Sequence, residues 1–403
     1  MDDSINDSSL PIDLPESAAE LAELVANANL HRSPLIVAGN CSKLDWGGIV
    51  TGTKIVSTQK LDRLIAHAVG DLTVTVEAGM KFSRLQEILA TAGQFLPLDP
   101  VYPDRATIGG IIATANTGSL RHRYGGVRDL LLGISFVRAD GKIAKAGGRV
   151  VKNVAGYDMM KLFTGSYGTL GILTEVTLRV YPQPTTTGTV IITGAIDRLE
   201  QAAKILLAST LTPIAVDVLS TAFSQHLELS NTPSLVVKFA TIPASIAAQS
   251  AQLLDIAKGL GLKGGSWQGT QAERLWSGIQ TGIWGDSRSE RLRQRPIGCK
   301  LGVRLTAAVA TITTLDRLTD HTAKGAIHLN SGLGACALED SQHILTLRRH
   351  CEVAGGFLSM LQAPVQLKQQ IDVWGYRGNA VPLMREIKQQ FDPLDILNPG
   401  RCF

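Results

Sequence analysis

The spacing of apolar and polar residues changes several times along the chain, and each change marks an element. Ser17-x-x-Glu20 is a capping box, and Ala18, Leu21, Ala22 and Val25 then share one helical face to about Asn29. Pro34 to Ala38 is a short apolar strand that delivers the loop Gly39-Asn40-Cys41-Ser42-Lys43. Leu72 to Ala78 alternates, which predicts a half-buried strand ended by Gly79. Ser83-x-x-Gln86 opens a helix that turns Leu85, Ile88, Leu89 and Ala92 inward and stops at Gly93. From Leu130 to Lys145 two apolar strands flank the hairpin turn Ala139-Asp140-Gly141-Lys142. Thr174, Val176, Leu178 and Val180 alternate with Glu175, Thr177 and Arg179 in a further strand.

Pro182, Pro184 and three threonines then break the pattern and mark a domain boundary. Beyond it, strands near Thr189–Thr193 and Leu235–Ala240 are separated by Ala/Leu-rich helices such as Ser245–Leu260. This predicts a second domain with an antiparallel sheet, and an α+β class for the whole. A helix over about Val381–Phe391 precedes a tight stop and turn, Asp392 to Arg401. The expected division is 1–184, 185–385 and a returning segment 386–403. No internal repeat is visible.

The 403 residues are enough for two cores, and 44% hydrophobic with 18% charged residues describes a globular chain. The formal charge of +4 is spread thinly, against a nucleic-acid surface. The densest basic cluster, Arg291, Arg293 and Arg295, reads as a solvated edge rather than an anion site. No run reaches the about 18 apolar residues of a membrane span, and the start Met1–Ser9 is acidic and polar, so a cytoplasmic protein is expected. The five cysteines are scattered and form no Cys-x-x-Cys pair, which suggests free thiols and neither zinc nor an iron–sulfur cluster. His343 and His350 lack a carboxylate partner, so no metal site is expected.

Three glycine-rich segments carry the chemistry. Gly39 to Lys43, with Ala38 before it, can turn successive N–H groups toward an anion such as a diphosphate, Ser42 adding a hydroxyl; the alternative is a plain polar turn. Asp99-Pro100 leads to Thr107-Ile108-Gly109-Gly110 and on through Thr114, Asn116, Gly118 and Ser119 to Arg123-Tyr124-Gly125. Aliphatic residues interleave these glycines, which implies a buried loop whose backbone needs partners that a cofactor can supply. Gly165-Ser166-Tyr167-Gly168-Thr169-Leu170-Gly171-Ile172 precedes a strand; a dinucleotide-binding Rossmann fingerprint would follow one.

The order of these segments resembles the flavin domain of the vanillyl-alcohol-oxidase (PCMH-type) superfamily. Gly39-Asn40-Cys41-Ser42-Lys43, Val151 to Asp158, Gly165-Ser166-Tyr167-Gly168 and Asp392-Pro393…Asn398-Pro399-Gly400-Arg401 are similar to the FAD-binding E subunits of glycolate oxidase (dehydrogenase). The likeness is close over about 15–182 and the last dozen residues, and loose in between. It implies a PCMH-type FAD domain, an α+β cap and a C-terminal return onto the FAD domain. It also implies FAD contacts from the glycine segments and Arg401, the latter weighed against a surface salt bridge, and partnership with a second flavoprotein subunit and an iron–sulfur subunit, which could bring the chain to a membrane surface. Covalent members carry a histidine in a Gly-Gly-His-Ser loop; Asn40-Cys41 stands there, so the FAD is expected to be non-covalent.

If the chain oxidises a small 2-hydroxy acid such as glycolate, an arginine is needed for the carboxylate and a base for the hydroxyl proton. Arg304, on an expected strand Lys300–Leu305, and Arg377 are the candidates for the first, and His328 is a candidate substrate contact. No convincing base stands out. A self-sufficient oxidase of another hydroxy acid, alditol or sugar, and a scaffold that does not turn over, stay open.

Overall fold

The structure is a computed structural model, and it describes residues 10–148, 157–285, 296–376 and 378–402. The basic cluster Arg291, Arg293 and Arg295, the start Met1–Ser9, the stretch Val151–Gly156 and Arg377 lie outside the described residues. The chain divides into two compact units, Met1–Thr117 with Gly125–Gln183 and Tyr376–Phe403, and Gly118–Tyr124 with Pro184–Gly375.

In the first unit, β1 (Ile12–Asp13), β2 (Leu35–Ala38) and β3 (Lys54–Ser57) form a parallel sheet in the order β1-β3-β2. Ser17 caps the helix Ala18–Leu30 by accepting from the Glu20 N–H, while Glu20 reaches back to the N–H of Glu16 rather than of Ser17. Leu21, Val25 and Ala28 of that helix bury against Leu35 and Val56 of the sheet. Next come β4 (Leu64–Ala68), β5 (Thr73–Glu77), β6 (Gln94–Phe95), β7 (Leu131–Val137), β8 (Ile143–Gly147), β9 (Ile172–Arg179) and β10 (Tyr181–Pro182). Among the described residues five of them make an antiparallel sheet ordered β4-β5-β9-β7-β8, and β6 pairs with β10. The Asp140-Gly141 turn joins β7 to β8, with Val137 opposite Ile143.

Two local expectations change. β5 is buried at every position, not on one face: Val74 and Val76 join the core, and Thr73, Thr75 and Glu77 are buried as well. Its polar members are satisfied in place: Thr75 Oγ1 meets Thr177 Oγ1 across the pair at 3.0 Å. The glycine segment after Thr107 is not a loop but a short helix, Ile108–Ala113, capped by the Thr107 hydroxyl. Ile108, Ile111 and Ile112 turn into the core, so their spacing marked a helix face. The Ser83 helix begins one residue earlier, as Phe82–Ala90, and Ala92 falls outside it.

The last segment is tied into the first unit. Leu35 N–H donates to Ile396 and Asn398 N–H donates to Leu35, adding Leu397 beside β2 as a parallel bridge. Buried Asp392 accepts the N–H groups of Ile396 and Leu397 at 3.0 and 2.7 Å, which fixes the turn after the helix Val381–Phe391.

The second unit is an antiparallel sheet of β11 (Thr186–Thr193), β12 (Ala215–Leu219), β13 (Ser234–Thr241), β14 (Lys263–Trp267), β15 (Ile297–Gly302), β16 (Lys324–His328), β17 (Leu333–Leu338) and β18 (Phe357–Gln362). Their order is β14-β11-β13-β12-β16-β17-β15-β18. One set of alternating side chains, including Val216, Val218, Cys299, Leu301 and Ile327, joins a single core with the helices Ile196–Ala208, Pro243–Gly259, Ala308–Leu318 and Ile344–Val353. Since successive side chains on a strand point to opposite faces, Asp217, Lys300 and His328 share the other face. β15 stops at Gly302, so Arg304 lies past the strand and not on it.

Candidate functional site

The first unit contains a cleft that is partly open to solvent. The end of β2 delivers one wall, residues 37–44; Thr107, Gly109, Gly110, Ala113 and Thr114 make a second, and residues 166–168 with 171–173 a third. Two glycines set its shape. A methyl group at residue 39 would lie 2.1 Å from Thr107 Oγ1, an atom already holding the Gly110 N–H. Gly168 sits at φ +71°, and a methyl group there would come 2.9 Å from Asn398 Nδ2.

Side chains hold these walls from behind. Asn398 accepts the Val37 N–H through Oδ1 and donates through Nδ2 to the Tyr167 carbonyl, both at 2.8 Å. Asn40 Nδ2 donates to the Arg105 carbonyl at 3.1 Å, and Ser57 Oγ to that of Gly39. Arg401, only 4% exposed, donates from Nη1 to the Leu44 carbonyl at 2.7 Å and to that of Trp46. Through these two bonds it fixes the turn that follows Lys43.

No acidic residue lines the cleft among the described residues, while Lys43 and Arg401 do. Burial pushes the Lys43 ammonium down to about 7 and Arg401 to about 10. A narrow, cationic, glycine-walled cleft suits a long ligand with a negative middle. A diphosphate-containing flavin fits that description.

The polar face of the second unit is built from side chains instead. Asp217 lies directly opposite His328 across β12 and β16. Its carboxylate is fully buried and takes the His328 Nδ1 contact at 2.7 Å on Oδ1 and the Ser119 hydroxyl on Oδ2. Asn330 Nδ2 donates to the His122 carbonyl at 3.0 Å, which holds Gly118–Tyr124 over this face. His122 Nδ1 is buried without a hydrogen-bond partner among the described residues. Burial lowers the His122 pKa, Asp217 opposes that and His328 adds to it. Burial and the nearby Arg121 charge push Lys300 down to about 8. One carboxylate thus sits among several basic groups, so the face can hold an anion and exchange a proton.

Residues 11–147 match the FAD binding domain family. The chain carries an FAD binding domain. It is 38% identical over 165 residues to the glycolate oxidase subunit GlcE of Escherichia coli (strain K12), covering 41% of this chain and 47% of that protein. A probable mitochondrial D-lactate dehydrogenase of Danio rerio is 26% identical over 424 residues, covering 96% of this chain and 83% of that one. The matches above 30% identity to glycolate oxidase and D-lactate dehydrogenase proteins each span under half of the relative's length. The fold is also that of 4-ethylphenol oxidase from Gulosibacter chungangensis, with a TM-score of 0.75 at 17% identity over 97% of this chain and 88% of that one. The architecture is therefore a vanillyl-alcohol-oxidase-type α+β fold, an FAD binding domain with an antiparallel-sheet cap. Among the described residues, no helix is long and apolar enough to cross a membrane.

Of the residues singled out in the sequence, the cleft of the FAD binding domain brings together Ala38, Gly39, Asn40, Cys41, Ser42, Lys43, Thr107, Gly109, Gly110, Thr114, Gly168, Gly171, Ile172 and Arg401. Others lie elsewhere. Ile108 is in the core, Asn116 accepts the Val101 N–H beyond Asp99-Pro100, and Gly165 and Gly125 take positive φ. Gly118, Ser119, Arg123 and Tyr124 pack with the second unit. Arg304 donates to the carbonyls of Ala354 and Val353, at the end of the helix Ile344–Val353. The cleft adds Thr58, Ser166, Tyr167 and Asn398. Asn398 and Tyr167 stood inside recognised motifs, between the glycines that drew attention. Asp217 and Lys300 had no local signal.

Proposed function

We propose that the chain is an FAD-dependent oxidoreductase of a small 2-hydroxy acid such as glycolate, working as a subunit of a glycolate oxidase (dehydrogenase) assembly. The observation that carries this reading is the buried Asp217–His328 pair set among Lys300, Arg121 and His122 on the polar face of the second unit. A 2-hydroxy acid offers a carboxylate and a hydroxyl proton, the two groups such a face can take. The identities to GlcE and to D-lactate dehydrogenases support the substrate class.

Bound FAD supplies the two-electron acceptor for the substrate carbon. The chain's residues do the rest. Lys300 and Arg121 hold the carboxylate. His328 donates through Nδ1 to Asp217, so its basic nitrogen is Nε2, which accepts the hydroxyl proton. Asp217 fixes that tautomer and stabilises the ring once it is charged, and Ser119 holds the second Asp217 oxygen. Arg304 is engaged by two carbonyls, so Lys300 takes the carboxylate role in its place.

The cofactor is held non-covalently in the cleft lined by residues 37–44. Burial raises the Cys41 thiol, which leaves little thiolate for attachment to a ring. Acid precipitation should leave the flavin in the supernatant. Electrons leave through a second flavoprotein subunit and an iron–sulfur subunit of the kind that accompany such subunits. The deciding experiment mixes the FAD-loaded chain anaerobically with glycolate or D-lactate, alone and with those partners, and follows the visible flavin band. Bleaching by a 2-hydroxy acid is expected. A band that no such acid bleaches, with or without partners, would leave a scaffold or a different substrate class.

A further inference from the structure

We propose that Lys43 is the counter-ion of the FAD diphosphate and that binding FAD takes up a proton at its Nζ. The inference rests on FAD occupying the cleft and adds how the cleft meets the charge.

The cleft has two cations and, among the described residues, no lining carboxylate. They are not equivalent. Arg401 Nη1 donates to both the Leu44 and Trp46 carbonyls, so that end of the guanidinium serves the wall. Lys43 Nζ lies 5.8 Å from the Trp46 ring centroid, a contact with a neutral face that leaves its charge uncompensated. An ammonium lining a cleft with no carboxylate to neutralise it is complementary to a dianion. A point charge on a flexible stem meets phosphate oxygens without requiring a fixed fork.

Burial lowers the Lys43 pKa to about 7. Without FAD, Lys43 is therefore charged below pH 7 and largely neutral above it. A diphosphate alongside favours the charged form and raises the pKa. Binding then takes up no proton well below pH 7 and about one proton above it, until the raised pKa is passed. In that window affinity falls about tenfold per pH unit as pH rises.

The other charged or titratable groups around the cleft do not change state there. Burial raises the thiol of Cys41, which faces Arg105. Burial raises Tyr167 above the ordinary tyrosine range. Arg401, with Asp45 near it, lies at about 10, and Cys402, with Lys388 near it, at about 11.

The test titrates the full-length apoprotein with FAD calorimetrically between pH 6 and pH 9, in buffers of different ionisation enthalpy. Wild type should take up about one proton near pH 8 and almost none at pH 6. Lys43→Arg, charged throughout, should bind FAD with no proton uptake and a flat pH profile. Lys43→Met should lose both affinity and uptake, while riboflavin, which has no phosphate, should bind all three alike. Buffer-independent heats for wild type at pH 8, or wild-type affinity in Lys43→Met, would overturn the proposal while leaving FAD binding intact. A wild-type chain that binds no FAD at any pH would sink the FAD reading and this inference together.

Discussion

The cleft of the first unit and the polar sheet face of the second are both prepared for charge, by opposite means. The cleft is walled by backbone and small residues from three sequence segments, and its side chains work behind the walls: Asn398 on Val37 and Tyr167, Arg401 on Leu44 and Trp46. The polar face is made of functional groups themselves, with Asp217, His328, Lys300 and Ser119 drawn from positions up to 209 residues apart along the chain. A site made of backbone fails when its space is filled. A site made of side chains fails when one proton partner is changed, with its volume untouched.

The largest expected effect comes from changing a proton partner. Asp217→Asn keeps the shape but lets the amide dictate the other His328 tautomer. The rate of flavin reduction by glycolate should fall about 10²–10⁴-fold with flavin content unchanged. Stopped-flow reduction beside the flavin-to-protein ratio reads both. A normal rate would show that the polar face is structural.

Filling the cleft should be the next most damaging change. Gly39→Val places a branched side chain where even a methyl group meets Thr107 Oγ1 at 2.1 Å. An overpacking cost near ~3 kcal/mol corresponds to about a hundredfold weaker FAD binding. Circular dichroism should stay unchanged. Normal flavin content in this variant would remove the 37–44 wall from the site.

Asn398→Ala attacks the cleft from behind. It leaves the Val37 N–H and the Tyr167 carbonyl without their side-chain partner, which should cost about 2 kcal/mol of stability, seen as a lower Tm. FAD should recover part of that loss by binding the native state. A Tm equal to wild type would mean that the C-terminal return is peripheral.

The smallest effect separates a cap from a ligand. Arg304→Ala removes donors to the Ala354 and Val353 carbonyls and should cost about 1 kcal/mol in a melt, with KM for glycolate unchanged. A large rise in KM would return Arg304 to the substrate.

How far the sequence was legible follows the same division. Periodicity placed the strands near β5 and β9, because patterning is a local property, and the reading also put strands near β11 and β13 and a helix at about Val381–Phe391, where one stands. It misjudged the burial of β5, because alternation cannot tell whether a second layer covers the polar positions. It took Thr107–Gly118 for a loop because two glycines weaken the helical signal, although Ile108, Ile111 and Ile112 carried the right spacing. In the cleft, glycines and their neighbours announced the walls, since close backbone approach needs the same residue types wherever it occurs.

What the sequence by itself determined is the class of the fold, the glycine walls and the hairpin and helix stops, all of which depend on a few consecutive residues. What only the tertiary structure decided is which charges meet. His328 stood alone in an apolar run until the pairing of β12 with β16 set Asp217 opposite it. Lys300 was one lysine among many until the alternation of β15 turned it to the same face. The free energy of such a charge depends on the groups and the water around it, and pairing between distant strands sets both.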